Sequence, residues 1–147
     1  MLTFDSNGYL KPYKPIETDL TVFEQTFATN AVRKLIFEQY KLYLVDVQKI
    51  LPDGGFFQWI DGSYITKKPM PFDIDLVTFV PFNIYNENVK KLQALKWKYD
   101  KIDGYFVRMF PAEHRLAFET TLQKHQWLDV YGTDRLERPK GFIQIKF

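Results

Sequence analysis

The sequence predicts an α/β or α+β fold in which a small mixed β-sheet is flanked by helices. Three observations predict it: a long amphipathic stretch from Ala31 to Leu51, three short runs rich in aromatic and β-branched residues, and helix-spaced segments between and after those runs. At 147 residues the chain is of single-domain length and long enough to bury a core, so residues 1–147 read as one domain.

Residues 1–18 carry Gly8, Pro12 and Pro15 among scattered aromatics, the pattern of an extended packing arm rather than of regular structure. Thr21 and Glu24 fit a capping box, with Val22, Phe23 and Phe27 following at helical spacing. From Ala31 the apolar residues Val32, Ile36, Tyr40, Tyr43, Val47 and Ile50 recur every three or four positions, and Pro52-Asp53-Gly54-Gly55 ends that helix. Phe56 to Ile60, Asp73 to Phe82 and Ile102 to Phe110 read as strands. Asn86 to Tyr99 and Pro111 to Leu128 read as helices, and Gly141 to Phe147 as a last strand. No repeat or low-complexity linker interrupts this order.

Composition excludes several function classes. With 20 Lys and Arg against 18 Asp and Glu, the net charge of +2 supplies no global field for gripping a polyanion, although a local basic patch can still hold a nucleotide. The absence of Cys removes disulfides, thiolate zinc sites and cysteine nucleophiles, so any catalysis uses oxygen and nitrogen ligands. No basic leader precedes an apolar run, and no stretch approaches a membrane span; the expectation is a cytoplasmic protein that does not enter a membrane. Aromatic residues make up 18% of the chain, with most expected in the core and some at a pocket or interface.

The chemistry concentrates between Trp59 and Val77. Asp73 and Asp75 lie two apart on a strand, so their carboxylates leave one face with Cα atoms roughly 6–7 Å apart. Such a pair repels itself unless a cation or proton compensates, and hard oxygen ligands suit Mg²⁺ or Mn²⁺ when phosphate oxygens complete the shell. Gly62-Ser63 closes the preceding strand, where a residue without Cβ lets backbone N–H groups approach a phosphate.

Ile60-Asp61-Gly62-Ser63 followed by Asp73-Ile74-Asp75-Leu76 resembles the signature of the DNA polymerase β-like nucleotidyltransferase superfamily, a hydrophobic residue, Gly, Gly or Ser, a short spacer and Asp-hydrophobic-Asp. Asp61 departs from it, standing where an apolar residue is commoner. The superfamily places a third carboxylate on a following strand, and Asp103 is the candidate here, with Asp100 as the alternative at a helix end. The whole chain is similar to small bacterial members with an aromatic arm and a tail carrying Gly132-Thr133-Asp134-Arg135 and Lys140-Gly141.

The resemblance implies a nucleotidyltransferase fold that transfers a nucleoside monophosphate from an NTP to a hydroxyl of a protein, RNA or nucleotide. Asp73, Asp75 and Asp103 would be the catalytic and metal-binding set for Mg²⁺ or Mn²⁺. Gly62, Ser63, Lys67, Lys68, Arg135 and Lys140 would hold the triphosphate. Stand-alone small members imply a setting in toxin–antitoxin or phage-defence modules, with a homodimer or a partner protein completing base recognition. The alternative is a module of the same fold that binds nucleotide or protein without turnover.

Other residues carry blander readings. His114 and His125, on one predicted helix, are too far apart for a zinc pair. Tyr105, Trp127 and Tyr131 are rings of the kind that stack a base, but core packing is the better reading in so aromatic a chain. Ser63 and Thr66 have no base placed beside them by any motif, which argues against a serine-type hydrolase.

Overall fold

The computed structural model describes residues 1–147. Its elements are β1 (Thr3–Phe4), β2 (Leu10–Lys11), β3 (Pro15–Glu17), α1 (Leu20–Phe27), α2 (Ala31–Ile50), β4 (Phe57–Asp61), β5 (Ile74–Pro81), α3 (Phe82–Glu87), α4 (Val89–Lys98), β6 (Ile102–Met109), α5 (Ala117–Tyr131) and β7 (Phe142–Lys146). Five strands form one mixed sheet in the order β3-β7-β4-β5-β6, and β1 pairs with β2 in a separate hairpin. The architecture is therefore mixed α and β, as the sequence predicts, and no helix is long and apolar enough to cross a membrane.

The sheet separates two layers. On one face Gln58, Ile60, Leu76 and Thr78 lie under α2, where the Tyr40 hydroxyl donates to Gln58 Oε1 at 2.6 Å. This gives a fully buried amide a partner, without which its burial would be unfavourable. Phe23 and Phe27 of α1 pack with Phe37, Tyr40 and Tyr64 in a ring cluster at centroid distances of 5.5 to 6.2 Å. On the other face Trp59 and Phe142 meet α5 through Tyr131, which also contacts Trp127.

Local chemistry sets the helix ends, and in places it differs from the sequence expectation. Asp19, not Thr21, caps α1, its carboxylate accepting the Val22 N–H at 2.8 Å. Asn30 does the same for α2 through Arg33 N at 2.9 Å, and Gly54 and Gly55 turn the chain at φ +70° and +77° just after it. The helix expected from Asn86 to Tyr99 is instead two, because Asn88 leaves helical geometry and its side chain bonds back to the Ile84 carbonyl. α5 begins at Ala117 rather than Pro111. The intervening turn is held by His114 Nδ1, which accepts the Leu116 N–H at 3.0 Å, so His114 lies outside the helix that carries His125.

The N-terminal arm is extended, but it is more structured than expected. Asp5 accepts from the N–H groups of Asn7 and Tyr9 to close the β1–β2 turn, and β3 adds a parallel strand beside β7. The arm is tied to the body where Lys67 N–H donates to the Gly8 carbonyl, Gly141 N–H to Leu10, and the Tyr9 hydroxyl to Asp134.

Candidate functional site

Strand register assembles the site. β4 runs antiparallel to β5 with Asp61 opposite Asp75, and β6 runs parallel to β5 with Asp103 opposite Asp75. Neighbouring strands lie about 4.7–4.9 Å apart, and residues in register share a face. Asp61, Asp75 and Asp103 therefore form a row of carboxylates across three strands at one end of the sheet, on the α5 face. Asp73, just before β5, sits two residues from the middle of that row.

The row has a cation at each end and none in the middle. Lys140 Nζ reaches both Asp61 oxygens at 2.7 and 2.6 Å, with both side chains buried. Lys96 Nζ holds Asp103 at 2.7 Å and stands 3.4 Å from the centroid of the Tyr105 ring. Asp75 has no such partner. Burial, then the charges of Asp73, Asp103 and Asp61, push its carboxyl up to about 7, against the opposing pull of Lys140. Asp61 is pushed up to about 6 by burial, which outweighs the pull of Lys140. Asp73 is raised by burial and then by Asp103, with Lys101 opposing. Tyr131 closes the row from above, and burial followed by the charges of Asp61, Asp75 and Asp103 keeps its hydroxyl protonated.

The Gly62 turn is built against this row. Its φ is +83°, and a Cβ there would stand 2.5 Å from Asp75 Oδ2, so both the backbone conformation and the close approach require glycine. Ser63–Ile65 forms a single helical turn after it, closed by the Thr66 hydroxyl donating to the Ser63 carbonyl at 2.7 Å.

Arg33 fastens the rest of the loop. Only 3% exposed, it donates to the carbonyls of Phe27, Tyr64, Thr66 and Lys68, and its guanidinium lies 5.1 Å from the centroid of the Tyr64 ring. Burial without a carboxylate partner lowers its pKa from the usual guanidinium value. In the helical repeat Arg33 falls between the apolar positions, so periodicity does not mark it as buried. Its guanidinium faces one carbonyl at the end of α1 and three of the loop, which only the tertiary fold brings to one point.

A cleft of about 1030 Å³ opens beside the row. Gly62, Ser63, Lys67 and Lys68 line one wall, and Arg135 with Asp134 the other. Asp75 and Asp61 stand at its floor, while the Phe4–Tyr9 hairpin forms a further wall. The arm expected only to pack thus shapes the cleft. Asp134 is held by the Tyr9 hydroxyl at 2.7 Å and by Arg138 at 2.6 Å, and it caps the turn that presents Arg135.

The structure brings seven of the nine predicted residues to this cleft or its floor: Gly62, Ser63, Lys67, Lys68, Asp75, Arg135 and Lys140. Asp73 and Asp103 lie beyond it, on the side of the open edge strand β6. One expectation changes. Lys140 is not a free phosphate cation, because Asp61 takes both faces of its charge; Lys67 lines the cleft with its Nζ 5.0 Å from the centroid of the Phe4 ring. Asp103 stands beside Asp75 as expected but is paired with Lys96, and no group of three or more His, Asp or Glu side chains converges as a metal centre. Asp100, the alternative, instead accepts from Gln39 Nε2. Among the rings, Tyr131 is buried against Phe142, and Tyr105 is exposed beside Trp127.

Asp61 is the site residue that sequence reasoning undervalued. Its signal was the departure from the apolar pattern immediately before Gly62, and its role became legible only with its partner at Lys140, far along the chain.

A family model described as a family of unknown function, DUF6932, matches residues 2–146, and the chain belongs to that family. No curated protein and no solved structure shows significant similarity to it.

Proposed function

We propose that this DUF6932 protein is a metal-dependent nucleotidyltransferase of the DNA polymerase β-like fold, moving a nucleoside monophosphate from an NTP to a hydroxyl acceptor. The observation that carries the reading is the unpaired Asp75 in the middle of the carboxylate row, pressed against the Gly62 turn at the floor of a cleft rimmed by Lys67, Lys68 and Arg135.

The residues fit a hard divalent cation such as Mg²⁺ or Mn²⁺. Asp73 and Asp75 crowd like charges that burial and repulsion leave short of a counter-ion, and they offer oxygen ligands that an NTP would complete. Bound there, the ion would offset charge on the phosphates and lower the pKa of a coordinated hydroxyl.

The chain's own groups take the other tasks. The Gly62-Ser63 turn brings backbone N–H groups to the phosphates, and Lys67, Lys68 and Arg135 supply the positive rim. Lys140, locked to Asp61, ties the end of β4 to the chain just before β7 beneath the turn. The acceptor oxygen forms a bond to the α-phosphorus while the bond to the β-phosphate oxygen breaks, and pyrophosphate leaves with that electron pair. Asp103, opposite Asp75 on β6, would take the hydroxyl proton.

A second reading, a nucleotide-binding module without turnover, is favoured by one observation: Asp103 and Asp61 are already paired with lysines. One experiment separates them. The protein and its Asp73→Ala/Asp75→Ala variant are incubated with α-phosphate-labelled NTPs, Mg²⁺ or Mn²⁺ and candidate acceptors. Metal-dependent label lost in the variant supports transfer; NTP binding without label across protein, RNA and nucleotide acceptors supports the module.

A further inference from the structure

We propose that the α4–β6 edge is a docking surface for a single-stranded polynucleotide whose terminal hydroxyl is the acceptor. The surface itself is independent of the enzymatic reading, and only the word acceptor rests on it.

The cleft lies on the β4 side of Asp75, so the β6 side is the open approach to Asp73 and Asp103. That side carries a charge the rest of the chain lacks. Between Val89 and Lys101 stand five lysines against one aspartate, Asp100, and with Asp46 and Asp103, which pair with two of them, the surface keeps a net of +2, as much as the whole chain carries. Asp46 holds Lys98 and Asp103 holds Lys96, while Lys90, Lys91 and Lys101 have no carboxylate partner.

Large rings are interleaved with these lysines, and they are not buried. Trp97 is 82% exposed and Phe72 is 67% exposed. Lys101 Nζ stands 3.8 Å from the centroid of the Phe72 ring, and Lys96 stands beside both Trp97 and Tyr105. The run from Asp103 through Lys96 to Tyr105 and Trp97 is continuous, and it begins at the carboxylate row. Exposed rings among cations that follow no sequence of hydrogen-bond readers are the chemistry that stacks bases and tracks phosphates.

The charge complements a polyanion and the rings complement bases, which favours a nucleic-acid strand over a protein. Stacking rings and cations by themselves do not distinguish ribose from deoxyribose, so RNA and DNA share the chemistry.

The test is fluorescence anisotropy of labelled single-stranded RNA and DNA of about 12 nucleotides, within the usual site size of such surfaces. It is run over a salt series on the full chain, Trp97→Ala, Lys90→Gln/Lys91→Gln and Asp73→Ala/Asp75→Ala. We expect binding that weakens with salt, a loss of roughly five- to a hundredfold in Trp97→Ala, and a shallower salt dependence in the lysine variant. Binding to one sugar only would name the acceptor type. No binding at low salt, or binding that Trp97→Ala leaves unchanged, overturns the proposal. Oligonucleotide binding through Trp97 without any nucleotidyl transfer would leave the surface standing and sink the enzymatic reading. Label entering a protein while no oligonucleotide binds would do the reverse.

Discussion

The two sides of Asp75 are built differently. On the β4 side, a buried arginine with four carbonyl partners, a buried lysine–aspartate pair and a glycine with no room for a Cβ hold the Gly62-Ser63 turn in one geometry. On the β6 side, a partly exposed ion pair and solvent-facing rings leave the approach open. The comparison teaches a division of labour. On the proposed function, the rigid side would meet a constant group such as a triphosphate, for which preorganisation is repaid, and the open side a variable acceptor met by surface charge and adaptable rings.

The largest expected effect breaks the rigid side. Arg33→Met leaves four carbonyls without their donor, and we expect a loss of at least about 3 kcal/mol in urea unfolding, because each buried unsatisfied group costs about 1–3 kcal/mol. Trp97→Ala, on the open side, should leave the unfolding midpoint unchanged. Equal losses in the two variants would erase the contrast.

Next comes the buried pair. Lys140→Met strands the Asp61 carboxylate, and breaking one partner of a buried pair costs about 3–5 kcal/mol. Lys140→Met/Asp61→Asn should recover much of that loss, measured in a double-mutant cycle. An additive double mutant would show that the two side chains do not act as a unit.

A smaller effect sharpens the account of the floor. Asp75 and Asp61 have folded pKa values of about 7 and about 6, raised from 3.8, so the folded state binds more protons than the unfolded state in that window. Their contribution is fully present below pH 3.8 and is lost as pH rises towards 6 and 7, so the ligand-free protein loses stability over that range. Asp75→Asn should flatten this slope, raise the melting temperature at neutral pH and remove any stabilisation by Mg²⁺. A slope that persists in the variant would place the raised pKa elsewhere.

The smallest effect belongs to Lys96→Ala. Its partly exposed pair with Asp103 should contribute less than about 1 kcal/mol to stability, read from the same urea curves.

Much of this was legible in one dimension. α2 ends within one residue of its expected limits because its apolar repeat and its glycine stop are local signals. Gly62, Ser63, Asp73 and Asp75 were legible as a motif with a fixed spacing. α4 and α5 were less so, since Asn88 and His114 redirect the backbone through side-chain bonds that periodicity does not weigh.

The sequence by itself determined the class of fold, the strand that carries Asp73 and Asp75, and the turn that precedes it, because these depend on alternation, helical spacing and residues near one another in the chain. Only the tertiary structure decided that Asp61 and Asp103 flank Asp75, that Lys140 is locked beneath the turn, that Arg33 clamps the loop, and that the N-terminal hairpin walls the cleft. Each of those depends on strand register or on a charge meeting partners distant in the chain, and desolvation makes such partners obligatory only once the core has brought them together.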